Sequence, residues 1–448
     1  MYDTVIVGAG PAGMFAAYEL IIKNPKLKIC LIEKGKRVKD RAKKEVMHGV
    51  GGAGTYSDGK LHCTPVLSHE KMMDIYSPKE YQKVVDFVDS VFTKFGVPED
   101  YYPTDMAEVQ KLVDKCKKHS VHLYVRKTRH VGSDKLPNVI KNFEDSLVKK
   151  GVDLKTETEV MDIITKNGKC VGVKTDKEEI LAKTVLLAPG RTKARWLQEI
   201  AVTNKLKTEY QKVEVGVRIE FPEGIMRKYS DLMYENIFYV QTPSFDDPMR
   251  TFCPCPKGLV AIEDYEDFVC VNGHSNSTHL SENSNFAFVT EIKLTEPVEN
   301  TTSYAKSIAI LATRLGGGKP LIQRLADLKS GRRSTWERIN KSYVTPTLKD
   351  VTPGDIAMAL PHRIVTNILE GLQMLDKVMP GINSGSTLLY APEVKFRASR
   401  IKTDKYLETE LPSMFVAGDA AGVSGNILGA GASGVIAAKG ILKKLGSE

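Results

Sequence analysis

No segment of the 448-residue sequence is apolar for long enough to span a membrane, which takes about 18 residues. The N-terminus also lacks the basic region and cleavage site of a signal peptide, so we expect a cytoplasmic protein without a membrane span. The seven cysteines are odd in number and irregularly spaced, which argues against the disulfide framework of a small secreted domain.

Metal-ligand spacing is missing as well. Cys253 and Cys255 flank a single proline, but neither a second C-x-x-C pair nor a suitably spaced histidine pair accompanies them, so the sequence predicts no metal site. A C-x-C pair with a central proline is also a poor geometry for a disulfide loop. Structural packing or lining of a substrate cleft is therefore the preferred interpretation of these cysteines over redox work.

The charge is uneven, with a formal net charge of +9. Much of the excess lies in one run between Lys34 and Lys44, which is typical either of a solvated surface or of a site for phosphate groups. The basic residues are not interleaved with aromatic ones, as binding of single-stranded nucleic acid would favour. Nucleic acid is thus allowed by the charge but disfavoured as a partner.

The two ends of the chain share one predicted secondary-structure pattern, and the middle has a different one. Residues 3–8, 11–22 and 28–33 predict a strand, a helix and a strand, and the C-terminus again predicts a strand followed by a helix. This favours an α/β fold in which a Rossmann-like nucleotide-binding domain is assembled from both chain ends and interrupted by an α+β substrate domain. The expected boundaries are 1–205 for the first part, with a helical excursion at about 70–120, then 206–380 for the inserted domain and 381–448 for the return.

The strongest motif is the G-x-G-x-x-G run at residues 8–13, which lies between the predicted strand and helix. Gly8 permits the tight turn, Gly10 lets the backbone approach a diphosphate, and Gly13 lets the helix pack on the strand. The helix N-terminus then offers N–H groups to the phosphates. Glu33 ends the next strand 20 positions after Gly13, where its carboxylate could bind ribose hydroxyls.

The C-terminal motif distinguishes FAD from NAD, which share the first half of such a site. Residues 415–422, FVAGDAAG, deliver Asp419 from a short strand to a turn, where its carboxylate could bind a ribityl hydroxyl. A second helix start follows, whose N–H groups could face the electron-rich edge of a flavin ring. The complete set of expected cofactor-binding residues is Gly8, Gly10, Pro11, Ala12, Gly13, Glu33, Lys34, Arg41, Gly52, Ala53, Gly54, Ser57, Asp58, Val160, Pro189, Gly190, Arg191, Gly418, Asp419, Gly425, Asn426 and Ile427.

These motifs together resemble the two-dinucleotide-binding-domain flavoprotein superfamily. More narrowly, the segments GGAGTYSDGKLH, GSDKLP, TFCPCPKG, LGGGKP and APEVKFRASR resemble the uncharacterised FAD-dependent dehydrogenase family. The resemblance implies bound FAD and the split architecture, but no particular substrate. The second glycine fingerprint and redox cysteine pair of flavoprotein disulfide reductases are missing, so NAD(P)H or another electron donor would act without a dedicated domain.

The predicted function is hydride transfer between the flavin and a small organic molecule held between the two domains. Lys60, Tyr390 and Asn426 are the candidate catalytic residues: Lys60 could stabilise reduced flavin and Tyr390 could donate a proton. Ordinary surface contact and aromatic packing are the competing interpretations of Lys60 and Tyr390. Two other functions stay open, a flavoenzyme that modifies RNA and a flavin-binding regulatory protein without turnover.

Overall fold

The computed structural model describes residues 1–41, 45, 47–56, 59–65, 72–132, 134–209, 212–265, 267–275, 280–292, 300–395 and 399–446. The chain divides into two compact units. Unit 1 comprises Met1–Asp100, Arg129–Gln211 and Ala398–Glu448, and unit 2 comprises Tyr101–Thr128 and Lys212–Arg397.

Strands and helices alternate at the chain ends, whereas strands dominate the middle. The strands are β1 (Tyr2–Val7), β2 (Ile29–Ile32), β3 (Lys60–His62), β4 (Val121–Val125), β5 (Thr128–His130), β6 (Asp153–Lys155), β7 (Val160–Lys166), β8 (Lys169–Thr175), β9 (Glu179–Leu187), β10 (Thr208–Glu209), β11 (Glu214–Pro222), β12 (Asn236–Gln241), β13 (Pro248–Cys255), β14 (Leu259–Tyr265), β15 (Phe268–His274), β16 (Asn283–Glu291), β17 (Leu321–Arg324), β18 (Thr352–Pro353), β19 (Leu388–Lys395), β20 (Arg400–Ile401) and β21 (Met414–Val416). The helices are α1 (Pro11–Lys23), α2 (Pro78–Lys94), α3 (Met106–Lys118), α4 (Leu136–Lys149), α5 (Ala194–Thr203), α6 (Arg227–Met233), α7 (Thr301–Leu315), α8 (Leu325–Lys329), α9 (Trp336–Asn340), α10 (His362–Asp376) and α11 (Ile427–Lys444).

Unit 1 is built on a parallel sheet. Its strands run in the order β6, β2, β1 and β9, with β21 pairing in parallel on the other side of β9. The central strands are short apolar runs buried at nearly every position, because a parallel sheet is covered on both faces. Strands β7 and β8 extend this sheet as an antiparallel meander that leads into β9.

Helices α1 and α11 pack tightly against each other because small residues line their contact. A Cβ atom at Gly434 would lie 2.0 Å from the Ala12 carbonyl oxygen, and one at Gly431 would lie 2.9 Å from the Phe15 ring. This close approach brings the N-terminal part of one helix beside the other, although the two lie over 400 positions apart in the sequence. The predicted α/β class with a Rossmann-like domain made from both chain ends is confirmed.

Unit 2 is built on an eight-stranded sheet in the order β18, β17, β19, β11, β16, β13, β12 and β4. One face carries an apolar core that includes Val215, Val217, Ile219 and Phe221 of β11. Since side chains alternate along a strand, the residues between them face the other way. That second face buries charged groups, notably Glu214, Arg218 and Glu220.

The unit boundaries differ from the sequence expectation at two places. The sequence ends the inserted domain at 380, but unit 2 continues to Arg397 because β19 is an interior strand of its sheet, between β17 and β11. The expected helical excursion at 70–120 is also divided. Helix α2 belongs to unit 1, whereas α3 and β4 belong to unit 2, where β4 pairs with β12.

Candidate functional site

Four parallel strands of unit 1 end at the same edge of the sheet. Val7 is in register with Ile32 on one side and Leu187 on the other, and Val416 is in register with Leu187. Ligands of open α/β sheets bind outside this carboxyl edge. The segments that follow these strands contain most of the residues expected to bind the cofactor.

The three fingerprint glycines lack a side chain for different reasons. Gly8 has a φ of +97°, and a Cβ atom there would lie 2.2 Å from the Ala188 carbonyl oxygen. A Cβ atom at Gly13 would lie 1.9 Å from the Gly8 carbonyl oxygen, so helix α1 could not approach β1. Gly10 has an ordinary φ of −74°, and the nearest atom to its Cβ position, among the described residues, is the Gly52 Cα at 3.9 Å. The protein's own packing therefore leaves room at Gly10 that a diphosphate fits.

The N-terminus of α1 has the features of an anion-binding helix start. Its N-cap Gly10 provides no side-chain hydrogen bond, Pro11 occupies the first turn, and that turn carries no acidic residue. The first N–H groups of a helix have no partner inside the helix, and the helix dipole adds partial positive charge. The N–H groups of Ala12 and Gly13 thus fit the phosphate oxygens of a dinucleotide.

Glu33 organises the loops at this edge. Its buried carboxylate accepts hydrogen bonds from the backbone N–H groups of Ala9 at 3.0 Å, Gly35 at 2.9 Å and Gly49 at 2.9 Å. The sequence predicts a ribose-binding carboxylate. It does not predict that this carboxylate also accepts hydrogen bonds from the N–H groups of Gly35 and Gly49. Oε1 accepts two of these bonds and Oε2 accepts one, so Oε2 retains acceptor capacity and a ribose contact is compatible with this role.

Glu33→Gln is expected to lower the free energy of unfolding by about 1–3 kcal/mol, because one acceptor oxygen becomes an NH2 group that faces a buried backbone donor. The loss should appear in urea denaturation of the FAD-loaded protein. Glu199→Gln, which changes an exposed partner of Arg195, is the matched control. A Glu33→Gln protein with the stability of the control would contradict the role assigned to this carboxylate.

The glycine-rich loop after residue 50 lies against both helix starts. A Cβ atom at Gly52 would lie 3.2 Å from the Gly10 Cα, and one at Gly54 would lie 2.9 Å from the Ile427 side chain. Ala53 begins a single 3-10 turn that ends at Tyr56. The loop is therefore placed where α1 and α11 begin, while the expected ligands Ser57 and Asp58 lie outside the described residues.

Asp419 and Arg191 form one pair at the ends of β21 and β9. The Arg191 Nε donates to the Asp419 Oδ2 at 3.0 Å, and both side chains are partly exposed. Gly418 has a φ of +75°, and its Cβ position lies 3.2 Å from the Ala12 Cβ. Pro189 and Gly190 connect β9 to Arg191, and no atom of the described residues lies within 4 Å of the Gly190 Cβ position.

Asn426 caps helix α11. Its Oδ1 accepts a hydrogen bond from the Gly429 N–H at 2.9 Å, and the first helical turn carries no acidic residue. Gly425 precedes this cap and Ile427 follows it. The structure thus gives Asn426 a helix-capping role, and the backbone at 425–427 remains suited to the flavin edge.

Most of the described basic run is engaged within the protein. Arg41 donates to the carbonyl oxygens of Glu45, Val50 and Gly52, and its guanidinium also stacks on Tyr56. These contacts place Arg41 against the backbone of the glycine-rich loop. Two more basic residues form ion pairs with carboxylates: Lys36 pairs with Glu45, and Arg37 pairs with Glu144 and Asp145. Lys34 is partly buried.

Of the remaining candidate residues, Lys60 and Val160 lie in unit 1, whereas Tyr390 lies in unit 2. Lys60 is buried at the start of β3, which packs against α11 in unit 1. Val160 begins β7, just after a segment whose Thr158 N–H donates to the Glu33 carbonyl, so it lies near the expected adenosine end. Tyr390 is fully buried in unit 2, and its hydroxyl donates to Glu220.

The structure places the Tyr390 hydroxyl in a buried hydrogen-bond network. Burial and the neighbouring Glu220 raise the pKa of its phenol well above the ordinary value. Burial likewise raises the pKa of Glu220, while hydrogen bonds from Thr347, Tyr390 and Asn283 oppose that rise. Tyr390 completes this buried network, so the competing interpretation of a packed aromatic fits it better. Cys253 and Cys255 both lie on strand β13, and neither is joined to another cysteine by a disulfide.

Comparison with known proteins bears on the second unit. Residues 212–396 match the sequence model of the family described as "FAD-dependent protein, C-terminal domain-like", a range that nearly coincides with the larger segment of unit 2. The match covers less than half of the chain. Together with the dinucleotide-binding fold of unit 1, it supports an FAD-dependent oxidoreductase.

Other likenesses extend over the whole chain. An uncharacterised protein of Clostridium beijerinckii is 25% identical over 98% of this chain and 80% of its own length. Among solved structures, L-proline dehydrogenase from P. horikoshii has a TM-score of 0.45 at 14% identity, covering 99% of this chain and 94% of its own. Glycine oxidase from Bacillus cereus has a TM-score of 0.40 at 14% identity, covering 99% and 96%. These structural likenesses assign no substrate.

Two features are absent from the described residues. No helix there is both long and apolar enough to cross a membrane. Nor do His, Cys, Asp and Glu side chains in that part of the chain gather in groups of three or more that could hold a metal ion.

Proposed function

We propose that this oxidoreductase transfers a hydride between bound FAD and a small organic substrate. The observation that carries the proposal is that the starts of α1, which has no side-chain cap, and α11, which Asn426 caps, lie at one carboxyl edge beside the room left at Gly10. Bound FAD supplies the hydride chemistry, and the protein supplies binding, orientation and electrostatics.

Each part of the edge has a proposed role. The N–H groups at the start of α1 bind the diphosphate, and Glu33 binds the adenosine ribose while it holds the loops around it. Asp419, oriented by Arg191, binds the ribityl chain. The start of α11 faces the edge of the flavin ring that becomes negative on reduction, where helix N–H groups stabilise charge.

The rival functions have weaker support. RNA modification would require a basic surface free to contact phosphates, but among the described residues Lys36, Arg37 and Arg41 are engaged with protein groups. No contact among the described residues favours a regulatory protein without turnover.

Anaerobic reduction of the FAD-loaded protein followed by stopped-flow mixing with candidate acceptors tests the proposal. We expect at least one class of organic acceptor, or one class of donor in the reverse direction, to change the flavin redox state at least tenfold faster than buffer alone. Flavin that stays tightly bound but responds to no donor or acceptor would sink the hydride-transfer proposal and favour the regulatory function.

A further inference from the structure

Arginine side chains in this chain repeatedly pair with carboxylates through one edge of the guanidinium. The Nε and Nη2 atoms of Arg129 donate to the two oxygens of Asp89 at 2.8 and 2.9 Å. Arg250 contacts Glu214 in the same way, and so does Arg363 with Asp247. Two parallel N–H groups match the two oxygens of a carboxylate, which makes this edge a specific carboxylate binder.

The same edge of Arg126 has no hydrogen-bond partner in the part of the chain that the structure describes. It is only 1% exposed, and neither Nε nor Nη2 has a hydrogen-bond partner among the described residues. Its third nitrogen, Nη1, lies 3.7 Å from Glu235, which is an ion pair too long for a hydrogen bond. Leaving buried donors unpaired is unfavourable because their lost hydration is not replaced, so an unpaired edge at this depth calls for an explanation.

A second buried guanidinium lies near Arg126. Burial lowers the pKa of Arg126, Glu235 opposes that effect, and the positive charge of Arg250 lowers it further. Arg250 uses Nε and Nη2 on Glu214, but its Nη1 also has no hydrogen-bond partner in the described part of the chain. Two like charges thus act on each other, and three of their nitrogens have no hydrogen-bond partner among the described residues.

A row of aromatic side chains leads from solvent toward Arg126. Along β4, His122 is exposed, Tyr124 is partly buried, and Arg126 just beyond the strand is buried. The Arg126 guanidinium lies over the Tyr124 ring at 5.5 Å, and His122 contacts the ring of Tyr239 on the neighbouring strand β12. Tyr239 is in register with Arg250, so the rings and both guanidinium groups share one face of the sheet.

We infer that Arg126 and Arg250 form the anchor for a carboxylate group of the substrate, with Tyr124 and Tyr239 beside the organic body of that molecule. The Nε–Nη2 edge of Arg126 binds both carboxylate oxygens, and the Arg250 Nη1 donates to one of them. This deepens the proposed oxidoreductase function by naming its substrate class, an aromatic or apolar carboxylic acid.

Titration calorimetry with benzoate and benzamide tests the anchor on the FAD-loaded full chain. The two probes have similar size and shape, but only benzoate carries the anionic oxygen pair. We expect benzoate to bind at least tenfold more tightly than benzamide. Equal binding of the two probes, or no binding of benzoate, would overturn the inference.

Arg126→Lys is the decisive variant because lysine keeps a positive charge beside Glu235 but has no pair of parallel donors. Benzoate binding should weaken at least tenfold, with the thermal midpoint of the protein unchanged. Arg227→Lys is the matched control, since Arg227 also contacts a carboxylate, Glu223, but lies on the surface. Full benzoate affinity in Arg126→Lys would also overturn the inference.

Two further arms keep the test decisive. If Arg126→Lys fails to fold, the double variant Arg126→Met with Glu235→Gln removes both buried charges, and it should also lose benzoate binding. Inorganic phosphate is titrated in parallel, and tighter binding of phosphate than of benzoate would reject a carboxylate in favour of a phosphate group. Because calorimetry does not require turnover, a redox-inactive protein that still binds benzoate through Arg126 would reject the proposed function alone.

Discussion

Gly10→Val is expected to remove FAD from the protein while the chain stays folded. Gly10 has an ordinary backbone conformation, and no described protein atom lies closer than 3.9 Å to its Cβ position. The Cβ atom of a valine therefore clashes with no described protein group, but the side chain occupies the space through which the backbone approaches the diphosphate. We expect FAD affinity to fall at least 100-fold, or about 2.7 kcal/mol.

The ratio of flavin to protein absorbance in the purified protein measures this loss, and reconstitution with added FAD extends it to an affinity. Gly224→Val is the matched control, because Gly224 is exposed and has no atom of the described residues within 4 Å of its Cβ position. Both variants should keep the secondary structure and, without FAD, the thermal midpoint of the parent. A yellow Gly10→Val protein with full occupancy would contradict the site at α1.

Gly13 could not serve for this experiment. Its Cβ atom would lie 1.9 Å from the Gly8 carbonyl oxygen, so any side chain there would displace α1 from β1. Loss of FAD in such a variant would report on folding. The fingerprint therefore contains both kinds of glycine, and only the structure separates the one that leaves room for a ligand from those required by packing.

The dinucleotide-binding unit is readable from sequence because its signals are local. The fingerprint, the strand before it and Glu33 after it lie within one βαβ stretch, and the C-terminal Gly418-Asp419 turn carries its own glycines. The pairing of Asp419 with Arg191 joins residues 228 positions apart, and no local pattern announces it. The same holds for the Gly35 and Gly49 donors to Glu33, since ordinary loop glycines have no distinguishing neighbours.

The second unit is harder to read because its sheet joins distant segments. Strand β19 follows a helical stretch and precedes the C-terminal motif, so its sequence position suggests the nucleotide-binding domain, but it pairs with β11 and β17. Alternation of charged and apolar residues in β11 is typical of a strand with one solvated face. Here both faces are buried, and burial of the charged face depends on tertiary packing that no local pattern specifies.

The second prediction with a large effect concerns Glu393, which lies on the buried charged face of unit 2. This carboxylate is fully buried. Its Oε2 lies 3.3 Å from the Arg218 Nη1, and the carboxylate also forms an ion pair with Lys395. The Lys395 ammonium is largely buried as well, and the Glu393 charge raises the pKa of that group against the lowering effect of burial. One carboxylate therefore balances two cations in the interior of unit 2.

Glu393→Leu is expected to lower the free energy of unfolding by about 3–5 kcal/mol, because removing one member of a buried ion pair leaves its partner without a counter-charge. Urea denaturation followed by far-UV circular dichroism measures the loss. Glu337→Leu is the matched control: it breaks an exposed pair with Lys341, and such pairs contribute about 0–1 kcal/mol.

A double variant separates the charge effect from packing. If the uncompensated cation is the cause, adding Arg218→Met to Glu393→Leu should recover part of the stability, so the two changes together cost less than the sum of the single changes. Additive losses would instead indicate that Glu393 stabilises unit 2 by filling space. A single variant Glu393→Leu as stable as the Glu337→Leu control would show that the buried carboxylate is not needed to hold Arg218 and Lys395 in the sheet.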